Sequence, residues 1–266
     1  MTGDWAADLA LANELAALGG AEALQRFRHI APPTQKRDGS WVTEADLASE
    51  AAIRARLAEA RPDDDVLGEE GGHTTTTGGP ARPGARTWVI DPIDSTHSYM
   101  VGIPLWATLV GLQVDGRAVL GVCHVPALGE TYEAADGMGA RMNGERIAVR
   151  HTPLDEAVVT SSGLRSMTRR GRFDLYRRLA ESCWRERSLG DFWGHMLVAR
   201  GAAQVMVDPI VAAWDYLPLE PIVREAGGKM TQLDGSPLAH DGSCLTTCGG
   251  AMHTTVLEMA AEALPG

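Results

Sequence analysis

The chain has 266 residues, 44% hydrophobic and 22% charged, with 35 acidic against 24 basic side chains and a formal net charge of −11. This composition excludes wholesale disorder and allows a large buried core, while the acidic balance without a basic stripe excludes a nucleic-acid-binding surface. No run of about 20 apolar residues occurs, which excludes a transmembrane helix.

The start, Met1-Thr2-Gly3-Asp4-Trp5, lacks the basic-then-apolar order of a signal peptide, so cytoplasm is the expected compartment. Apolar spacing (Leu9, Ala12, Leu15, Ala16, Leu18) predicts a helix from Asp4 to about Ile30, interrupted at Gly19-Gly20 and ended by the Ala-Pro-Pro-Thr segment. A second helix, capped by Thr43 or Asp46, runs through Ile53 and Leu57 and stops before Arg61-Pro62. Val66-Leu67-Gly68-Glu69-Glu70-Gly71 reads as a short strand ending in paired carboxylates. The span 73–86, rich in Thr, Gly and Pro, reads as a loop, either a flap near a site or a surface insertion.

Trp88-Val89-Ile90-Asp91-Pro92-Ile93-Asp94-Ser95-Thr96 is the most informative stretch. A buried strand ends in two carboxylates three residues apart, with Pro92 fixing the backbone between them. Ser95 and Thr96 follow where a short helix can begin. Carboxylates suit hard divalent cations and a helix start suits an anion, so one turn can hold a metal and a phosphate. An acidic strand-to-helix turn with an ordinary cap is the alternative.

Leu105 to Val114, Asp115-Gly116 and Ala118 to Val125 predict a hairpin. Thr131 to Ala135 and Ile147 to Arg150 add strands around a turn at Asn143-Gly144. Beyond about His151 short strands and helices alternate: strand Val158 to Ser161, helices Arg172 to Glu181 and Asp191 to Arg200, and strand Gln204 to Val207. A final helix pair follows Trp214. Pro218 and Pro221 predict an irregular turn after Asp215, with Ile222, Val223 and Ala226 entering the core and Ala226-Gly227-Gly228 as a stop. The four cysteines read as buried free thiols, Cys244 and Cys248 within a strand-like core. No internal repeat occurs.

Gly-Glu-Glu at 68–70, Asp-Pro-Ile-Asp-x-Thr at 91–96 and Trp-Asp at 214–215 occur in this order, and the set resembles the inositol monophosphatase family of magnesium-dependent phosphatases. The likeness covers about Lys36 to Gly228. It implies a fold of mixed α+β and α/β character, a layered α-β-α-β-α sandwich. It also implies an N-terminal α+β half (1–150) carrying most metal ligands and a C-terminal α/β half (151–266) carrying the last ligand and the substrate-recognition residues. By the same likeness Glu69, Asp91, Asp94, Asp215 and the Ile93 carbonyl hold two or three Mg2+ ions. Thr96, paired with Asp46, orients the attacking water, and these two with Glu69 and Asp91 form the catalytic set. Backbone N–H groups of Ser95 and Thr96 hold phosphate. Lys36 matches a basic residue ahead of this segment, and His97 is a further candidate. The likeness also implies a homodimer acting on a small phosphate ester. One departure is Ser95, where the family has Gly; its side chain is expected either to crowd the phosphate or to donate a hydroxyl to it.

The physics supports these assignments, because carboxylates gathered in one cavity raise one another's pKa unless cations neutralise them. No Cys-x5-Arg loop and no Asp-x-Asp at a strand end occur, so other common phosphatase chemistries lose ground. Arg187 to Trp193, Pro104 to Leu109 and Val125 to Gly129 are similar to the histidinol-phosphate phosphatase subfamily. Gly190 and Asp191, with Asp208 seven residues before Asp215, are therefore the substrate-recognition candidates, two carboxylates favouring a cationic amino alcohol. The alternative for Asp191 is a plain helix N-cap. The expected activity is hydrolysis of L-histidinol phosphate in histidine biosynthesis. Alternatives are an inositol, other sugar or nucleotide phosphate in a specialised pathway, or a non-catalytic phosphate-binding regulator, against which Thr96 and Asp46 argue.

Overall fold

The computed structural model describes residues 5–29, 31–37, 39–75 and 84–263. Helix α1 (Ala6–Arg26) is continuous, so Gly19-Gly20 does not interrupt it. A Cβ on Gly19 would stand 2.5 Å from Ile53 Cδ1, and one on Gly20 2.6 Å from the His124 ring. These glycines serve close packing, and that gain outweighs their low helix propensity. A short hairpin of β1 (Thr34–Gln35) and β2 (Trp41–Val42) leads into α2 (Glu44–Ala60). Thr43 caps α2 in a reciprocal box with Asp46, each satisfying a backbone N–H of the other.

Strands β3 (Asp65–Gly68), β4 (Gly72–Thr74) and β5 (Arg86–Asp94) follow, so His73 and Arg86 belong to strands rather than to a loop. Most of the expected flap (76–83) lies outside the described residues. After α3 (Thr96–Met100) come β6 (Ala107–Val114), β7 (Arg117–Val125), β8 (Glu130–Ala135), β9 (Arg141–Met142) and β10 (Glu145–Arg146). Asn143 and Gly144 both have positive φ and make the β9–β10 turn. The strand expected at Ile147 to Arg150 is not formed. The pairing ends at Arg146, and Val149 instead donates its N–H to the Ala226 carbonyl.

The second half contains β11 (Val158–Ser161), α4 (Leu164–Arg169), α5 (Phe173–Ser182), β12 (Arg185–Arg187), α6 (Asp191–Ala199), β13 (Val205–Val211), α7 (Ala213–Tyr216), α8 (Glu220–Glu225), β14 (Lys229–Thr231), β15 (Gly242–Thr247) and α9 (Gly250–Glu262). Helix α4 had no sequence signal. One mixed sheet has the order β10-β9-β8-β7-β6-β5-β3-β4, and a second has β12-β11-β13-β15-β14.

Strand alternation sorts side chains into layers. Val110, Leu112, Trp88 and Ile90 meet Leu9, Leu15, Ile53 and Leu57 of α1 and α2 on one outer face. Leu109, Cys123 and Tyr132 face the opposite way, onto α6 and α8, where Met206 of the second sheet joins them. Val205, Val207 and Leu245 pack outward on α5 and α9. The layers are therefore α-β-α-β-α.

Gly111 and Gly121 are paired across β6 and β7, and both lie beneath Pro218. A Cβ on Gly111 would meet Pro218 Cα at 3.0 Å, and one on Gly121 would overlap the Pro218 carbonyl. Pro218 is thus seated on a glycine floor three residues after Asp215. Gly121→Ala is expected to cost about 1–3 kcal/mol of stability through overpacking and to lower activity as Asp215 shifts. Urea unfolding alongside turnover checks this; a wild-type midpoint would mean the floor yields freely.

Candidate active site

Strand β5 delivers the central carboxylates. Alternation sends Asp91 to the face opposite Ile90, and a register shift against β6 falls between Asp91 and Asp94. Pro92 contributes its carbonyl, which accepts from Thr108 Oγ1 at 2.9 Å. Asp91 Oδ1 accepts the Ile93 N–H at 3.0 Å. Ser95 then turns the chain with φ of +70°, and Thr96 opens α3 with its hydroxyl donating to the Ile93 carbonyl at 3.1 Å.

Glu69 follows β3, its N–H donating to the Ile90 carbonyl at 3.2 Å. Buried Glu50 holds the adjoining turn by accepting the N–H groups of Glu70 and Gly71, each at 2.8 Å. Lys36 reaches Glu69 at 3.0 Å and Glu70 at 2.7 Å. From the second half, Asp208 lies on β13 on the same face as Met206, and Asp215 sits in α7 with Oδ2 accepting the Ala212 N–H at 2.7 Å. Helix α6 brings Asp191 and the Phe192 N–H, which donates to Asp94 Oδ2 at 3.2 Å.

These elements enclose one cavity of about 280 Å³, lined by Glu69, Asp91, Ile93, Asp94, Ser95, Thr96, His97, Asp191, Asp208 and Asp215 among others. Asp91 and Asp94 are buried at 2% and 7% exposure. Burial first, then the neighbouring carboxylates, pushes Asp91, Asp94 and Asp208 well above the usual carboxylate range. Burial likewise raises Asp215 to about 7, although the Ala212 N–H opposes it. Lys36 is held up at about 12: burial works against its charge, but the Glu70 and Glu69 carboxylates prevail.

Several sequence expectations change here. Asp46 Oδ2 is bonded to the Thr43 N–H and hydroxyl, and Thr96 donates to Ile93, so no Thr96–Asp46 hydrogen bond is present. The capping box takes that oxygen, and Asp46 Oδ1 is buried without a hydrogen-bond partner. Burial raises this carboxyl to about 6. Asp191 is not a cap: Gly190 is the N-cap of α6, and no side chain caps that end. The Ser95 hydroxyl donates to Asp191 Oδ2, so its proton is engaged within the protein. Lys36 lies beside the site through the two glutamates, His97 is exposed at the cavity wall, and Gly190 sits behind Asp191, its N–H donating to the Ser161 carbonyl at 3.1 Å.

Ser162 and Ser166 also line the cavity; a Ser-Ser-Gly run at the end of strand β11 was the available signal. His195 forms part of the wall, buried, with Nδ1 2.7 Å from Thr246 Oγ1, and burial lowers it to about 4, so it is neutral. Phe192 lines the cavity, whereas Trp193 packs under Arg200.

The donor set is all oxygen and mostly buried carboxylate, which fits a hard divalent cation. Asp46 does not itself line the cavity; its Oδ1 is buried and unpartnered, an acceptor that a buried water can satisfy. Among the described residues no group of three or more His, Cys, Asp or Glu side chains is placed so as to hold a metal ion.

The profile of the inositol monophosphatase family matches residues 4–264. Histidinol-phosphatase of Mycobacterium tuberculosis is 40% identical over 94% of this chain and 96% of its own length. Histidinol-phosphatase of Streptomyces coelicolor is 37% identical over 96% of this chain and 97% of its own. The structure of inositol monophosphatase from Anabaena (Nostoc) superposes with a TM-score of 0.84 at 26% identity, over 99% of this chain and 98% of that one.

The raised carboxyls have a thermodynamic consequence. Between the ordinary value of 3.8 and the folded values of about 6 for Asp46 and about 7 for Asp215, the folded state binds more protons than the unfolded one. Stability in chelator is therefore expected to fall as pH rises through this window. Urea midpoints near pH 5 and near pH 8, with Asp215→Asn as a control of reduced slope, check it. Equal slopes for both proteins would mean that Asp215 carries no such strain.

Proposed function

This chain belongs to the inositol monophosphatase family and is a phosphoric monoester hydrolase, and from that premise we propose that it hydrolyses L-histidinol phosphate. The observation that carries the substrate is Asp191: its carboxylate lines the cavity, is free of any capping duty, and shares the wall with Asp208. Two carboxylates there suit the ammonium of an amino alcohol better than a neutral polyol. The names of the relatives in M. tuberculosis and S. coelicolor agree with this reading.

Glu69, Asp91, Asp94, Asp215 and the Ile93 carbonyl are the proposed ligands of two or three Mg2+ ions. Magnesium held there supplies charge neutralisation and a more acidic water. Everything else is the work of the chain itself. The Thr96 hydroxyl spends its proton on Ile93, so its oxygen is left to accept from a water. Asp46 Oδ1 is the second acceptor, and between them they orient that water for in-line attack on phosphorus. Backbone N–H groups of Ser95 and Thr96, in a first helical turn with no intrahelical partner, hold the phosphate oxygens. Gly190 fixes the start of α6, and Asp191 and Asp208 receive the leaving alcohol. Lys36 steadies Glu69. In this reading residues 1–150 supply most of the phosphate chemistry and residues 151–266 supply the selection of substrate. The family resemblance supports a cytoplasmic homodimer in histidine biosynthesis; no helix among the described residues is long and apolar enough to cross a membrane.

Phosphate release with Mg2+ from histidinol phosphate, inositol 1-phosphate and a nucleoside monophosphate tests the proposal. The expected kcat/KM preference for histidinol phosphate is about a hundredfold, the scale of a charge-assisted contact. A flat or absent response to histidinol phosphate, with turnover elsewhere, would discard the substrate and leave the hydrolase standing. Thr96→Ala is expected to lower kcat about 100-fold with little change in KM. A change confined to KM would contradict its water-orienting role.

A further inference from the structure

We propose that Ser95 is a specificity-determining residue, its hydroxyl fixing the Asp191 carboxylate so that one oxygen is presented to a cationic leaving group. The inference rests on the reading of Asp191 given above and assigns a side-chain role at a position that a glycine would occupy with less strain.

Ser95 has φ of +70° and Asp191 has φ of +40°, both in the left-handed region that disfavours a side chain. Neither conformation is forced by a tight hairpin, and the two residues are 96 positions apart in sequence. They nonetheless meet, Ser95 Oγ donating to Asp191 Oδ2. Beside them the Phe192 N–H donates to Asp94 Oδ2 at 3.2 Å. The start of α6 is thus tied to the 91–96 turn at two adjacent points, once through a carboxylate proposed to hold metal and once through Ser95.

A hydroxyl donates one proton, so Ser95 occupies a single oxygen of Asp191 and leaves the other to accept. Without that bond the Asp191 side chain could rotate, and its carboxylate would no longer be held at one place in the wall. Loss of this fixation affects a ligand that needs a localised negative charge more than one that needs only a hydroxyl partner. Strain at positive φ is retained where the surroundings determine it, and here the surroundings are the Asp191 contact. Ser95 therefore divides its work: its backbone N–H serves the phosphate, and its side chain serves the leaving group.

The test compares wild type, Ser95→Ala, Ser95→Gly, Asp191→Ala and the double variant Ser95→Ala with Asp191→Ala, using histidinol phosphate and inositol 1-phosphate with Mg2+. The quantity read is the ratio of kcat/KM for the cationic over the neutral substrate. That ratio is expected to fall about tenfold in Ser95→Ala and in Ser95→Gly, the scale of a hydrogen bond to a charged group. In the Asp191→Ala background Ser95→Ala is expected to change it no further. Ser95→Gly relieves the positive φ and serves as the variant that folds securely, with its melting temperature as the check. An unaltered ratio in both Ser95 variants, or additive losses in the double variant, would overturn the proposal while leaving the substrate reading intact. A wild type that shows no preference for histidinol phosphate would remove both.

Discussion

Like charges confined in a poorly solvated cavity are the constraint on which this molecule turns. Asp91, Asp94, Asp208 and Asp215 are all buried or nearly so, and burial, with neighbouring carboxylates such as Glu69 and Asp191 adding to it, raises the cost of ionising each. The protein offsets part of that cost with backbone amides. Asp91 accepts from Ile93, Asp208 from Ile210 and Asp215 from Ala212, all within three residues of the carboxylate itself. Asp94 is the exception, drawing on Phe192 from the far half of the chain. Lys36 is the cation beside this group, and it spends itself on Glu69 and Glu70. What is left is a cavity whose chemistry is set by its need for positive charge.

The layered fold makes this arrangement possible. A buried sheet on each side and a middle helix layer formed by α6 and α8 let strand ends from both halves open into one space. The helix α6 does two things at once: its apolar face closes the shared core around Phe192, Met196 and Ala199, and its first turn meets the 91–96 turn. Packing energy in the middle layer therefore holds the polar contacts in place, since hydrophobic burial is far larger in sum than any one hydrogen bond.

The local parts of this site were legible in the sequence. Carboxylates at strand ends, a proline between them and the start of a short helix are all encoded within a few residues, as is a cap for α2 at Thr43 or Asp46, which the structure joins in one box. The layer order could be stated only through the family resemblance. What could not be read were partnerships between distant residues. Gly19-Gly20 looks like a break because propensity is local, whereas the need for a missing Cβ comes from Ile53 and His124 across the packing interface. Asp191 looks like a cap for the same reason, and only folding reveals Ser95 as its partner. The strand expected at Ile147 to Arg150 had the right residue types, but its N–H groups are drawn to separate loop carbonyls, Ile147 to Ala140 and Val149 to Ala226. Asp46 was assigned to Thr96 by resemblance, and the geometry gives one of its oxygens to the nearer Thr43.

The seating of Pro218 on Gly111 and Gly121 carries an implication for how such a sequence can drift. At Gly121 the contact is main chain against the Pro218 main chain, so no rotamer change can absorb an added methyl group there. The three positions form one unit in substitution space, although they are spread over more than a hundred residues. A descendant of this sequence that acquires a side chain on the floor must first move the main chain at position 218, and with it the segment that follows Asp215. Changes in the reaction centre and changes in an apparently silent stretch of sheet are thereby bound into a single evolutionary path.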